Sequence, residues 1–301
     1  MRPADLLRRR GFPYTKPAWP GGVEREPEKR ELGIDFDTEW ARKYPARLGR
    51  AMVLDTVGQA AVRALASPTV AGTDRLDHLK GPAVFAANHA SHVDTPLLLT
   101  SLPDRFRHRT AVAAGADYFF DKRWKGHMWA FLINAFPIDR HRVSPRSARL
   151  AGRLLDEGWS IIIFPEGGRS PHGWGQPHKG GAAFLSIRHG VPIVPVHLEG
   201  TRRILKRDAK TITPSRTAVT FGSPLRPDDG EDARAFAARV ERAVAALADE
   251  QATDWWTARQ RAARNANPDL TGPAGVSDWR RTWALGDGKR RSSRKQVWPP
   301  R

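Results

Sequence analysis

Between residues 82 and 221, short apolar runs of four to six residues, each stopped by a polar or glycine-containing turn, alternate with longer amphipathic stretches. That alternation confines the chain to an α/β fold, because each short run can bury itself only in a sheet and each amphipathic stretch only on the sheet's faces. Strands are expected at Ala83–Ala87, Thr110–Ala114, Trp159–Phe164, Pro192–His197 and Ala218–Phe221. Helices are expected near Thr95–Ser101, Lys122–Asn134, Pro145–Glu157, Ala182–His189 and Glu231–Asp249, the last with Phe236, Val240, Val244 and Leu247 on one stripe. The predicted architecture is a mixed, mostly parallel sheet flanked by helices.

The remainder of the chain reads differently. Residues 1–34 are rich in proline and charge and read as a disordered arm. Residues 35–72 form a helical segment, with Pro45 in the first turn and Leu54, Val57, Ala61 and Leu65 recurring at helical steps. The α/β domain runs over 73–250. From 251 to 301 the Asn-Pro, Gly-Pro and Gly-Asp-Gly punctuation predicts an irregular tail.

The chain has no cysteine, which removes disulfides, thiolate metal sites and cysteine nucleophiles together and fits a reducing, cytoplasmic compartment. His172 and His178 sit in a loop without a third ligand, so no metal is expected. A net charge of +18 predicts attraction to an anion: nucleic acid, acidic lipid or a phosphorylated substrate. Residues 255–301 carry eleven basic and three acidic side chains interleaved with Trp255, Trp256, Trp279, Trp283 and Trp298. Such a mixture suits a membrane interface and equally suits single-stranded nucleic acid. No apolar stretch approaches the ~18 residues of a spanning helix, and the N-terminus lacks the apolar core of a signal peptide. Any membrane contact is therefore expected at the surface.

Chemistry concentrates where the apolar runs stop. After Pro82–Ala87 comes Asn88-His89-Ala90-Ser91-His92-Val93-Asp94, a histidine and an aspartate five positions apart. A carboxylate on one ring nitrogen fixes the tautomer and stabilises the imidazolium formed when the other nitrogen takes a proton, so the pair suits deprotonation of a hydroxyl. With ten histidines, chance supplies that spacing on the order of once, so it needs company. A second run ends in Phe164-Pro165-Glu166-Gly167-Gly168-Arg169-Ser170, where glycines admit a phosphate to backbone amides and the arginine grips it, or where a sharp turn simply carries a surface ion pair. Phe136-Pro137-Ile138-Asp139-Arg140 ends in an Asp–Arg pair. Val191-Pro192-Ile193-Val194-Pro195-Val196 holds two prolines in an apolar run, which predicts an edge strand or a cavity wall. Ser91 reads as a capping or loop-packing residue, since no Gly-x-Ser-x-Gly elbow occurs, and His92 as a pocket wall.

In this order the four blocks NHxxxxD, PIDR, FPEGxRS and VPIVPV resemble the glycerolipid acyltransferase family, typified by 1-acylglycerol-3-phosphate acyltransferases, over roughly residues 80–225. The resemblance implies that His89 is the general base, held by Asp94, for attack of an acceptor hydroxyl on an acyl thioester without an acyl-enzyme. It implies that Asn88 positions the loop, that Glu166, Gly167, Gly168, Arg169 and Arg140 bind the acceptor head, and that Val191, Pro192, Ile193, Val194 and Pro195 line a cavity. Acyl-CoA or acyl-carrier protein would be the co-substrate, with no other cofactor. A lysophospholipid or other glycerolipid would be the acceptor, and the location the inner face of the cell membrane.

Departures from the pattern bear on the acceptor. The family has glycine where this chain has Asn134 and threonine where it has Gly168, and members acting on glycerol phosphates usually carry lysine on the strand that here reads Ala113-Ala114-Gly115-Ala116-Asp117. A lysophospholipid, another lipid hydroxyl and an amine all stay open as acceptors. The run Tyr118–Leu132 mixes aromatics with cations and reads either as a membrane rim or as a core helix with a solvated basic face. Two other readings remain: a nucleic-acid-binding protein acting through its Trp/Arg tail, and a thioester or lysophospholipid hydrolase on the same scaffold.

Overall fold

The run Val84–Ala87 is buried at all four positions, a state open to so short a segment only in the middle of a sheet covered on both faces. The computed structural model describes residues 33–140, 144–206, 209 and 211–271, and in it that run is the fourth strand across a seven-stranded sheet. The strands are β1 (Pro68–Ala71), β2 (Val84–Ala87), β3 (Thr110–Gly115), β4 (Ala135–Ile138), β5 (Ser160–Ile163), β6 (Ile193–Glu199) and β7 (Thr217–Phe221), in the order β1-β7-β6-β2-β5-β3-β4. All neighbours run parallel except β6 and β7. The fold is thus the expected mixed, mostly parallel α/β sheet with helices on both sides.

Among the described residues, eight α-helices of eight or more residues surround the sheet: α1 (Tyr44–Val53), α2 (Gln59–Ala66), α3 (Asp94–Ser101), α4 (Arg123–Ile133), α5 (Pro145–Asp156), α6 (Gly181–His189), α7 (Ala233–Ala252) and α8 (Trp255–Ala263). Because successive strand side chains point to opposite faces, β2 splits its residues between two cores. Phe85 and Ala87 pack with Leu97 and Leu98 of α3, while Val84 and Ala86 pack with Leu154 of α5, Leu185 of α6 and Phe236 of α7. Phe85 meets Phe106 and Phe221 edge-on, with centroids 5.5 and 6.4 Å away. Emptying that position would cost ~3–5 kcal/mol.

Three expectations change. The helical segment 35–72 ends in a strand, β1, paired in register with β7, so the sheet begins earlier than the sequence suggests. The proline-bearing β6 is an interior strand rather than an edge. Pro195 is tolerated because it sits where the antiparallel ladder breaks: β6 pairs Val196 with Phe221, then Ile193 with Leu225, a register that differs by one residue. The Pro195 carbonyl accepts Gly222 N–H there (2.8 Å), so its missing N–H falls at the same interruption. Finally, the chain beyond Thr253 is not irregular throughout. Asp254 accepts the Thr257 N–H (2.9 Å) and starts α8, whose Arg261 reaches buried Asp249 on α7 (2.7 Å). The expected arm and the tail beyond residue 271 fall almost wholly outside the described residues.

Candidate active site

β2 and β5 lie side by side, and both stop at the same edge of the sheet, where open α/β sheets bind ligands. The turn after β2 is held from three sides. The Asn88 side chain accepts the Leu198 N–H (2.7 Å) and donates to the Leu198 carbonyl (2.9 Å), which ties the turn to β6. Ser91, fully buried, donates its hydroxyl to the Leu205 carbonyl (2.8 Å) and accepts Val93 N–H (3.2 Å), so it is spent on the loop and unavailable as a nucleophile. Asp94 opens α3 and has no exposed surface.

One oxygen of Asp94 organises the turn. Its Oδ2 accepts the N–H groups of Ala90 (2.7 Å) and Ser91 (2.8 Å) and faces Nδ1 of His89 at 2.8 Å. A buried carboxylate on Nδ1 fixes the proton there and leaves Nε2 to accept another. The ring of His89 stacks on Phe164 at the end of β5, with centroids 4.0 Å apart and planes inclined by 18°. Its plane is therefore set from two directions, by the carboxylate and by the aromatic face.

Glu166 supports the same turn through the backbone. Its Oε1 accepts the His89 N–H (2.8 Å) and its Oε2 the Gln176 N–H (3.0 Å), and the residue is only 4% exposed. Burial pushes its carboxyl up to about 8, against the pull of those two amides; the charges of Asp94 and Glu241 push the same way as burial. The Ser170 N–H closes the arrangement by donating to the His89 carbonyl (2.8 Å). Glu166 is thus a brace between two turns, with both oxygens engaged by backbone.

His92 stacks on Tyr118 (5.3 Å, 20°) and is driven down to about 4 by burial first, then by the charges of Arg169 and His89, so its imidazole is neutral at pH 7. Arg140 turns its guanidinium to Asp117, with Nε 3.1 Å from Oδ2 and Nη2 against the same oxygen. That pair explains the glycine at the end of β3: a Cβ at Gly115 would lie 2.8 Å from Asp117 Oδ1 and 3.1 Å from Arg140 Cδ. Lys179 reaches across from the segment before α6, donates Nζ to the Arg140 carbonyl (2.8 Å), and occupies the space beside Gly167, whose φ is +75°. Gly168 faces open space.

Beneath this edge lies an apolar cavity of about 430 Å³, walled by Phe136, Ile138, Ile163, Phe164, Ala151 and Leu185, with Arg140, Gly167 and Lys179 also in its lining. Val191, Pro192, Ile193, Val194 and Pro195 do not line it. Ile193, Val194 and Val196 are fully buried in the two core layers, which corrects the cavity-wall expectation: an interior strand spends its side chains on packing. His89, Asp94, Asn88 and Glu166 are brought together, Arg140 and Gly167 border the cavity, and Arg169 approaches His92. Sequence reasoning missed Phe164 as the surface under the imidazole, Asp117 as the partner of Arg140, and Lys179. For Lys179 the available signal was a cation just ahead of the Gly180-Gly181 start of a helix. Among the described residues no group of three or more His, Asp or Glu side chains is arranged for a metal ion.

Residues 67–199 match the acyltransferase family. A 1-acyl-sn-glycerol-3-phosphate acyltransferase of Cocos nucifera is 30% identical over 153 residues, covering 50% of this chain and 48% of the relative. The 1-acyl-sn-glycerol-3-phosphate acyltransferase alpha of Bos taurus is 27% identical over 206 residues, covering 65% of this chain and 66% of the relative. The chain spans about half the length of the first relatives it matches. The crystal structure of the 1-acyl-sn-glycerophosphate (LPA) acyltransferase PlsC from Thermotoga maritima superposes with a TM-score of 0.56 at 24% identity, over 72% of this chain and 84% of that one, which shows the shared fold.

Proposed function

We propose, from the match of residues 67–199 to the acyltransferase family together with the site geometry, that the chain transfers a fatty acyl group from an acyl thioester to a hydroxyl of a lysophospholipid or related glycerolipid. The observation that carries this reading is the 2.8 Å contact of His89 Nδ1 with buried Asp94, set beside Phe164 on the wall of an apolar cavity. His89 Nε2 takes the acceptor's hydroxyl proton as the oxygen attacks the thioester carbonyl. The tetrahedral oxyanion collapses, the C–S bond breaks, and the thiolate recovers the proton from the imidazolium, so the products are an ester and a free thiol carrier. A thioester is already activated, so deprotonation and orientation supply most of the acceleration, and no acyl-enzyme or further cofactor is needed.

The cavity takes a hydrocarbon chain, and Arg140 and Lys179 on its lining suit an anionic head. The corner at Tyr118, Lys122, Arg123 and Trp124 is exposed next to His92 and suits a bilayer surface from which both amphiphiles arrive. Among the described residues no helix is long and apolar enough to cross a membrane, so contact at the surface is the proposed mode.

The test is transfer from labelled acyl-CoA and acyl-carrier protein to a panel of lipid acceptors, with products resolved by mass spectrometry. Acylated lipid that disappears in a folded His89→Ala variant supports the reading. Free fatty acid as the main product would make the protein a hydrolase, and unchanged turnover in His89→Ala would remove the base from His89.

A further inference from the structure

The last described part of the chain lies beyond the acyltransferase match, yet it reaches the active-site scaffold. Buried Asp249 on α7 holds it with one oxygen to Arg261 (2.7 Å) and the other to Asn267 Nδ2 (2.9 Å), and Asn267 also donates to the Ala258 carbonyl (3.2 Å). Two residues past Pro268, the Leu270 carbonyl accepts the Gly175 N–H (2.8 Å). Gly175 packs closely on this segment: a Cβ there would stand 3.2 Å from Leu270 Cβ, so Leu270 would have to give by a few tenths of an ångström. The next residue, Gln176, donates its N–H to Glu166, whose other oxygen holds the backbone of His89. The segment that begins with α8 is therefore bound to the loop that braces the catalytic turn.

The outer face of α8 carries no acid. Ala258 packs inward, while Trp255 and Trp256 are 50% and 63% exposed and stack on each other with centroids 6.2 Å apart. The Arg259 guanidinium lies 5.8 Å from the Trp255 ring centroid, and Arg261 is already paired with Asp249. Exposed indoles beside an arginine that pairs with no carboxylate among the described residues are complementary to headgroup depth in an anionic bilayer, where the rings sit at the interface and the guanidinium meets phosphate. Rings stacked on one another offer less to single-stranded nucleic acid, which needs separated faces for successive bases.

We propose that α8 is a docking helix for an anionic lipid surface, seated through Leu270 and Gly175 on the loop that braces His89. The proposal rests on the acyltransferase reading for its choice of a lipid, but its primary test reads binding and not turnover. The full chain and a Trp255→Ser/Trp256→Ser variant are sedimented with phosphatidylcholine vesicles and with vesicles containing phosphatidylglycerol. The parent should partition onto the anionic vesicles, less so as salt is raised, and the double variant at least about tenfold more weakly. Arg259→Gln, which leaves both indoles and the helix in place, should lose about fivefold on anionic vesicles and nothing on neutral ones. If acyl transfer is found, both variants should keep the parent's rate on a monomeric short-chain acceptor and lose rate on vesicle-borne acceptor. Vesicle partition unchanged in both variants overturns the proposal. So does loss of single-strand oligonucleotide binding with vesicle partition intact, which would assign the helix to nucleic acid. Absence of any acyl transfer, with the vesicle differences present, would count against the enzymatic reading alone.

Discussion

The turn after β2 and the turn after β5 each place one buried carboxylate at the same edge of the sheet, and each carboxylate accepts two backbone N–H groups. Asp94 gathers the amides of its own turn and still presents the same oxygen to an imidazole; Glu166 divides its oxygens between two different turns and touches neither side chain of the His89–Asp94 pair. One carboxylate orients a ring and the other orients the backbone that carries it. Burial lifts Glu166 to about 8, and a brace can tolerate that, because its bonds are local and its charge is not used to stabilise an imidazolium.

The sharpest break of this comparison is at His89 and Asp94. On the proposed mechanism, His89→Ala or Asp94→Asn should lower acyl transfer by ~10²–10⁴-fold, since the proposed base or the carboxylate that holds it is removed. Asp94→Asn should also lower the melting temperature, because its amide oxygen can replace Oδ2 toward the Ala90 and Ser91 N–H donors only by leaving a buried NH₂ where Oδ1 has no partner. Steady-state kinetics with circular dichroism separates the two effects.

Glu166→Gln comes next. The amide can satisfy one of the two backbone donors but meets the other with its own N–H, so a stability loss of ~1–3 kcal/mol is expected, with activity falling because the His89 backbone shifts. The pH dependence distinguishes a brace from a ligand. The folded protein keeps the Glu166 proton up to about 8, whereas the unfolded chain releases it near 4.5. The folded state binds more protons between those values, so this group's contribution is full at the acid end and is lost as pH rises through about 8. Denaturant melts across that range should show the decline in the parent and a flatter line in Glu166→Gln; an unchanged slope would mean the carboxyl is already ionised at neutral pH.

How much of this was legible in the sequence follows from the range of the interactions. β2, β3 and β5 were readable because an apolar run of that length has one place to go, and the His89–Asp94 pair because both residues belong to one turn. The brace was not, since the two amides on Glu166 come from residues 77 and 10 positions away. A carboxylate after a strand reads as a substrate ligand until those partners are seen. Pro195 misled for the same reason: its place inside the sheet depends on a break in the ladder with β7, which no local pattern encodes. The helix α8 was hidden differently. It is short, with no apolar stripe, and its Asp254 cap was outweighed by the Asn-Pro and Gly-Pro signals that follow.

A smaller effect is expected at Gly167. Its φ of +75° is unfavourable for an L side chain, and a Cβ would lie 2.5 Å from Lys179 Nζ. Lysine is flexible, so it should swing aside and give up its bond to the Arg140 carbonyl rather than disturb β5. Gly167→Ala is expected to cost ~1 kcal/mol in stability, chiefly from the backbone. Displacing Lys179 should raise the KM for a phosphate-bearing acceptor more than for a neutral one, whereas an equal change for both would separate Lys179 from the headgroup.

The smallest expected change tests the other glycine of that turn, where the family carries threonine. Gly168 has a negative φ, and nothing stands within 4 Å of where its Cβ would be, so the Cβ of Gly168→Thr meets neither backbone strain nor a clash. Its stability should stay within ~0.5 kcal/mol of the parent, as for substitutions away from packed or strained positions. Since fold is unaffected, any change in acceptor preference on restoring the threonine would report direct contact with the ligand, and would extend the β5 turn's part from holding His89 to selecting the proposed acceptor. Identical acceptor profiles would confine that turn to its bracing role and leave the choice of acceptor to Arg140 and Lys179 on the cavity wall.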